Sequence, residues 1–344
     1  MKYLHLLLIL FTGWSFAQPP AGYYESANGL TGYALKSALE SIIDSVDDGN
    51  GQPFHDITLT YSQLWTLYET SDVRPDGFVW EMYSNCDFTF VTDQDTGTGG
   101  GSECDKFNRE HTFARSWFDN DTDHPIFADA FHVIPSDKKV NAERGNLAFG
   151  EVASPIYTSL NGTLIGSSSL SGPAGNVFEP IDTYKGDIAR GLFYLAVRYQ
   201  DDIASWEAND IDGDSMLDGS SDKVFEQWAL DMLYSWHLLD PVSQKEIDRN
   251  NAIFAHQDNR NPFIDNPQYV EDIWEGTLSV NEAAPIAKIQ IYPNPVTNGY
   301  LNIKSTKTVN MEIFNLIGQR IIFERITPNH DSIDLGELAP GLYL

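Results

Sequence analysis

The strongest constraint on how this chain can fold is an abrupt change of character near residues 279–287. The chain has 344 residues and a formal net charge of −29. Residues 285–344 hold five basic side chains (Lys288, Lys304, Lys307, Arg320, Arg325) and five acidic ones (Glu312, Glu324, Asp331, Asp334, Glu337). The tail is therefore neutral, and the whole acidic excess lies before it. The pattern changes too. The body shows apolar residues at helical spacing, whereas the tail shows short alternating runs such as Leu301-Asn302-Ile303-Lys304 and Met311-Glu312-Ile313-Phe314 with turn residues between them. Two units are expected. They are an acidic, mainly helical α+β body over 18–278 and, after a linker at 279–287, a small β-sandwich-like module over 288–344.

The first residues, Met1-Lys2-Tyr3, carry one positive charge. An apolar run from Leu6 through Leu10 and Phe11 follows, then Ser15-Phe16-Ala17 before Gln18. A charged start, a short apolar core and a small-residue cleavage site read as a secretory signal peptide over 1–17, too short for a spanning helix. No other run is long and apolar enough to cross a membrane, so no stable membrane span is expected. The protein is expected to be secreted or at the cell surface. In an oxidising compartment its two cysteines, Cys86 and Cys104, are expected to form a disulfide. The charge of −29 argues against tight, extended binding to a polyanion, because that affinity comes from Lys and Arg. A hydrolase needing only a local basic cleft is not excluded.

Apolar spacing predicts helices over 33–47 (Leu35, Leu39, Ile42, Ile43), 60–68, 188–197 and 224–233, and the run at 78–83 predicts a strand. Gly97 to Gly101 form a glycine loop. Just beyond it lies the densest cluster of chemistry-bearing residues: Asn108-Arg109-Glu110-His111, then Asp129-Ala130-Phe131-His132, then Asn141-Ala142-Glu143-Arg144-Gly145-Asn146 on a helix expected over 137–144. Phosphodiester hydrolysis needs a base for water and charge stabilisation on the phosphoryl and leaving oxygens, which a cation held by oxygen ligands supplies. Histidine suits the base role because its pKa lies near neutrality. Neighbouring strand residues point to opposite faces, so Glu110 and His111 can meet one phosphate only if the strand bends or ends there. On spacing alone, His111 reads equally as a structural histidine.

These residues resemble the bacterial endonuclease I family. The resemblance is carried by Trp80-Glu81-Met82-Tyr83-Ser84, Asn108-Arg109-Glu110-His111, Ser116-Trp117-Phe118, Val140-Asn141-Ala142-Glu143-Arg144-Gly145-Asn146 and Phe149-Gly150-Glu151-Val152. It continues through Tyr184-Lys185-Gly186-Asp187, Asp240-Pro241-Val242-Ser243, Arg249-Asn250-Asn251-Ala252 and Asn259-Arg260-Asn261-Pro262, spanning about 30–275. It implies a secreted, sequence-tolerant nuclease built on a ββα-metal (His-Me) finger, acting on DNA, with RNA as a second candidate, and leaving 5′-phosphate ends. His111 would be the general base. Glu110 and Asn141 would hold one divalent cation, Mg²⁺ first, with Mn²⁺ or Ca²⁺ as alternatives. His132 and Asn146 would support the site. Arg109 and Arg144 would contact phosphate or serve as ion pairs within the finger. The family commonly has two histidines after the aspartate of the second strand, and Phe131 replaces the first of them here.

Two further features complete the reading. Asp210-Ile211-Asp212-Gly213-Asp214, with Asp218, spaces carboxylates around a glycine, as in a loop that wraps a structural Ca²⁺. The competing reading is a solvated acidic loop. In the tail, Ile291-Tyr292-Pro293-Asn294-Pro295, Ile313-Phe314-Asn315-Leu316-Ile317-Gly318 and Leu338-Ala339-Pro340-Gly341-Leu342-Tyr343 resemble the sorting domain read by the type IX secretion machinery. By that resemblance the tail reads as truncated at Leu344. Two rival functions remain open at this point: a phosphodiesterase acting on smaller substrates, and a calcium-stabilised surface or adhesion protein on a degenerate nuclease fold.

Overall fold

The computed structural model describes residues 19–44, 59–173 and 175–278, and in the tail 290–292, 296, 299–304, 309–314, 320–326, 332–336, 338 and 341. The expected signal peptide and linker lie outside the described residues. Contacts divide the chain into two compact units, Met1–Leu278 and Ser279–Leu344.

The first unit begins with α1 (Gly32–Ile43) and α2 (Gln63–Ser71), followed by β1 (Phe107–His111), β2 (Val133–Asp137) and α3 (Lys138–Arg144). A three-stranded meander comes next, β3 (Val152–Thr158), β4 (Leu164–Ser168) and β5 (Asn176–Glu179). The helical remainder is α4 (Asp182–Arg198), α5 (Gln200–Ile203), α6 (Ile211–Met216), α7 (Gln227–Leu239), α8 (Gln244–Gln257), α9 (Pro262–Asp265) and α10 (Tyr269–Trp274). The paired strands of this unit are antiparallel and form sheets separate from the helices, which makes it α+β.

The core is organised by α4. Leu192, Phe193, Leu195, Ala196 and Val197 are all buried, so apolar side chains surround the helix rather than forming a stripe. It packs on α7, which buries Leu230, Leu233 and Trp236, and on α1. Its two buried arginines each meet a buried carboxylate, Arg190 with Glu246 at 2.5 Å and Arg198 with Asp129 at 2.9 Å. Glu246 also completes a capping box with Ser243 at the start of α8. α2 buries Leu64, Leu67, Tyr68 and Ser71, spaced three and four apart, against α8.

The helices expected over 60–68, 188–197 and 224–233 appear as α2, α4 and α7, and the described part of 33–47 as α1. The strand expected over 78–83 does not form. Val79 makes only an isolated bridge with Val73. The backbone then turns around the buried carboxylate of Glu81, which accepts from the amides of Tyr83 and Ser84 and from the Ser84 hydroxyl. A side chain recruiting the next amides competes with any strand partner.

In the second unit, β6 (Gln290–Tyr292), β7 (Tyr300–Lys304) and β10 (Ser332–Asp334) form one antiparallel sheet in the order β10-β7-β6. A hairpin of β8 (Val309–Phe314) and β9 (Arg320–Ile326) forms another. Both runs expected as strands, 301–304 and 311–314, lie in β7 and β8. Ile303 and Ile333 are buried, and Met311 and Ile322 of the hairpin pack against them.

Cys86 and Cys104 are joined in a disulfide across 18 positions. The loop it closes includes the glycine run 97–101. Opening a loop of that length is expected to lower the unfolding free energy by about 3 kcal/mol. Urea titration of a Cys86→Ala/Cys104→Ala variant checks this. An unchanged midpoint would mean that the loop is held by its side chains alone.

Candidate active site

β1 and β2 pair from Phe107 opposite Asp137 to His111 opposite Val133, and β2 runs directly into α3. Asp137 is the junction. Its carboxylate accepts from the amides of Lys139 at 2.8 Å and Val140 at 3.3 Å, capping α3, and from the amide of Cys104 at 2.8 Å. α3 ends where Gly145 takes φ +56°, a region that penalises any side chain.

Alternation along β1 sets what each residue can touch. Asn108 and Glu110 share one face, Arg109 and His111 the other. On the first face, Asn141 of α3 donates through Nδ2 to Asn108 Oδ1 at 2.9 Å, and Arg144 donates through Nη1 to Glu110 Oε1 at 2.6 Å. On the second, Tyr61 is the common neighbour. The Arg109 guanidinium lies 3.5 Å from its ring centroid, and the His111 ring stacks at 5.5 Å. Thus Glu110 and His111 do face apart, and β1 ends at His111.

Arg144 is not available to a phosphate. Its side chain is 0% exposed, and besides Glu110 it donates to the backbone carbonyls of His111 and Thr112, each at 2.7 Å. Of the two readings open from sequence, the ion pair within the ββα unit is the one found. Glu110 also accepts from the Tyr83 hydroxyl at 3.2 Å, through the same Oε1. Burial pushes its carboxyl pKa up, and the Arg144 guanidinium opposes that rise.

His111 is buried among Tyr61, Phe118, Phe127 and His132. Its Nε2 lies 3.0 Å from the Phe127 carbonyl oxygen. A carbonyl can only accept, so Nε2 carries the proton and Nδ1 keeps its lone pair. Burial pushes the imidazole well below its usual pKa; His132, Arg115 and Arg109 add to the shift, and the Phe127 carbonyl opposes it. His111 is therefore a neutral imidazole with a defined tautomer.

His132 lies beside His111, 5.5 Å between ring centroids. It is fully buried, donates through Nε2 to the Ile126 carbonyl at 2.6 Å, and is pushed down to about 4 by burial. Its Nδ1 has no hydrogen-bond partner. Phe131 points into the core against Tyr194, 4.6 Å between ring centroids, so the replaced histidine position is filled by packing. Asn146 is exposed and donates to Asp210 at 3.2 Å, outside the cluster around His111.

The segment at 210–218 is not a wrapping loop. Asp210 caps α6 by accepting from the amide of Asp212, while Asp212 and Asp214 lie on the helix itself. Asp218 pairs with Lys223 at 3.1 Å. Among the described residues, the group of three potential ligands found close together is Cys86, Cys104 and Asp137, whose two sulfurs are bonded to each other. Helix formation has spread the acidic residues that the spacing suggested would converge.

A different pattern marks the second face. Of the eight arginines in the first unit, six pair with a carboxylate: Arg74, Arg144, Arg190, Arg198, Arg249 and Arg260. The two without such a pair among the described residues are Arg109 and Arg115, and both flank His111. Arg109 is held by the Tyr61 carbonyl and sandwiched between Tyr61 and Trp65, whose centroid lies at 4.4 Å. Arg115 is exposed and stands 5.0 Å over Phe127. Sequence reading missed Arg115, Tyr61, Trp65 and Phe127. The available signal was Tyr61 and Trp65 four residues apart, and an arginine four residues after the candidate base.

The chain matches the family described as Endonuclease I over residues 31–268, and the Secretion system C-terminal sorting domain over 290–344. It is 34% identical over 255 residues to proteins named extracellular ribonuclease from Bacillus subtilis (strain 168) and from Bacillus amyloliquefaciens. Each alignment covers 73% of this chain and 78% of the relative.

Removing Arg144 would leave Glu110 buried without its partner. Arg144→Met is therefore expected to cost about 3–5 kcal/mol of stability. Arg109→Met, which loses only stacking and one carbonyl contact, should cost about 1 kcal/mol. Urea unfolding of both variants compares them, and equal losses would show that Arg144 is not the clamp.

Proposed function

The chain belongs to the Endonuclease I family, and on that premise we propose that it is a sequence-tolerant phosphodiester hydrolase acting on RNA and DNA. It is a nuclease that carries a type IX sorting tail, and it is exported to the cell surface or beyond. Among the described residues no helix is long and apolar enough to cross a membrane. The names of the Bacillus relatives favour RNA as a substrate, and the motif resemblance to non-specific nucleases favours DNA as well. The observation that carries the proposal is the placement of His111. It is a tautomer-locked neutral base between two arginines left without carboxylates, in a chain of charge −29.

The family is generally metal-dependent, and the residues present fit a hard divalent cation. Arg144 and Tyr83 both donate to Oε1 of Glu110 and the His111 amide also donates to this carboxylate, so Oε2 is the oxygen without a side-chain donor among the described residues. Asn141 uses its amide nitrogen on Asn108 and on the Arg109 carbonyl, which leaves its Oδ1. These two oxygens are the proposed ligands of Mg²⁺, an ion that keeps several waters and takes few protein ligands, and because β1 ends at His111 the cation and the imidazole can meet one phosphate there. When bound, such an ion supplies charge stabilisation at the phosphoryl and leaving oxygens. In this reading β1, β2 and α3 are the ββα-metal finger.

The protein groups act as follows. Nδ1 of His111 takes the proton of the attacking water, and the Nε2 bond to the Phe127 carbonyl steadies the imidazolium that forms. Arg109 and Arg115 receive the phosphate oxygens. The bond to the 3′ oxygen breaks, leaving 5′-phosphate ends.

His111→Ala is expected to reduce cleavage of plasmid DNA and of an RNA transcript by about 10²- to 10⁴-fold while the protein stays folded. Near-normal nicking by a folded variant would assign the base elsewhere. Chelator should abolish cleavage, and Glu110→Gln or Asn141→Ala should each raise the Mg²⁺ concentration needed for half-maximal rate. Unchanged titration curves in both would remove them as ligands. The active base is the unprotonated form, so activity is present above the His111 pKa and lost as pH falls through it. Burial lowers that pKa. The acid limb of kcat/KM is thus expected below pH ~6.5, the unperturbed imidazole value. A midpoint at or above it would point to a more exposed base.

A further inference from the structure

Around His111 the unpaired arginines and the aromatic rings form one continuous row. Trp65 lies 4.4 Å from the Arg109 guanidinium, which lies 3.5 Å from Tyr61. Tyr61 stands 4.5 Å from Phe127, and Arg115 lies 5.0 Å over Phe127. The order is ring, cation, ring, ring, cation. His111 sits beside the two middle rings, 5.5 Å from Tyr61 and 5.4 Å from Phe127. Trp65, Tyr61, Arg109 and Phe127 are half-buried, and Arg115 is exposed. The chain of contacts therefore extends beyond the two rings that touch the candidate base.

A body this acidic gains little from the phosphates of a duplex, where non-specific affinity depends on many Lys and Arg contacts. Affinity has to come from elsewhere. Aromatic rings and guanidinium planes stack on bases, and a base offers its face only when it is unstacked, as in a single strand or loop. We propose that the row Trp65, Arg109, Tyr61, Phe127 and Arg115 is a single-strand subsite. It takes the unstacked bases of the nucleotides on either side of the scissile phosphate, while its two guanidinium groups meet phosphate oxygens as in the reading above. Single-stranded polynucleotide, DNA or RNA, is accordingly preferred to duplex. The proposal rests on the nuclease reading given above and adds the substrate form to it.

The test is binding by the full chain in chelator, where no cleavage intervenes. Fluorescence anisotropy would compare oligothymidylate, oligouridylate and a duplex of equal length. The expected result is at least about tenfold tighter binding of either strand than of the duplex, the size of one or two stacking contacts. Trp65→Ala should lose about tenfold on the strands and leave the duplex unchanged, while Trp65→Phe retains most of the affinity. With two phosphate contacts, log K against log salt should fall with a slope of about −1.4 on a strand. Equal wild-type affinity for strand and duplex, which needs no variant to measure, overturns the proposal. So does a Trp65→Ala variant weakened alike on both. A bias toward uridylate or thymidylate keeps the subsite and assigns it to RNA or DNA. Strand-selective binding without Mg²⁺-dependent cleavage would uphold the subsite and sink the nuclease reading, whereas cleavage with no strand preference would do the reverse.

Discussion

One buried cation holds the centre of this protein together. Arg144, the last residue of α3, reaches back across β1 to the Glu110 carboxylate and to the carbonyls of His111 and Thr112. At the other end of the same helix, Asp137 ties the first turn to Cys104. The helix is thus fastened to the strand at one end and to the disulfide loop at the other. A buried ion pair is weak evidence for net stability, because desolvation offsets most of its attraction. Its stronger effect here is on register. A slip of β1 by one residue would exchange the two faces, sending His111 under α3 and Glu110 out among the rings. Three directional bonds from one planar group disfavour that slip.

Charge distribution follows a related logic. Read as a total, −29 speaks against a nucleic-acid substrate. In the folded chain, most arginines are neutralised internally by carboxylates, several of them buried. Among the arginines of the first unit, those left without a carboxylate among the described residues are Arg109 and Arg115. Rings hold Arg109 where a carboxylate would otherwise be needed, so the guanidinium is fixed without being neutralised.

Much of this was legible in the sequence where the signal is local. Helical spacing located α1, α2, α4 and α7, alternation located β7 and β8, and cysteine arithmetic gave the disulfide. The motifs also brought Glu110, His111 and Asn141 to the same strand and helix. What the sequence hid was decided by contacts with no local pattern. The run at 78–83 has strand composition, yet Glu81 captures its own downstream amides. Arg144 lies in a motif that makes it a candidate phosphate contact, yet it is buried over Phe149 at 4.4 Å and paired with Glu110. The carboxylates at 210–218 have the spacing of an ion-binding loop, but Asp210 starts a helix with them. Tyr61 and Trp65 join the site across more than forty residues, a distance no periodicity reports.

The disulfide has a further consequence through Asp137. The residue that caps the helix carrying Asn141 also holds the backbone of Cys104, so the covalent link and that helix share one anchor. Such a link persists in oxidising surroundings and is lost in reducing ones. Location and order are thereby coupled in this chain. The segment around Asp137 is most firmly held where the disulfide persists, and less so where thiols are kept reduced.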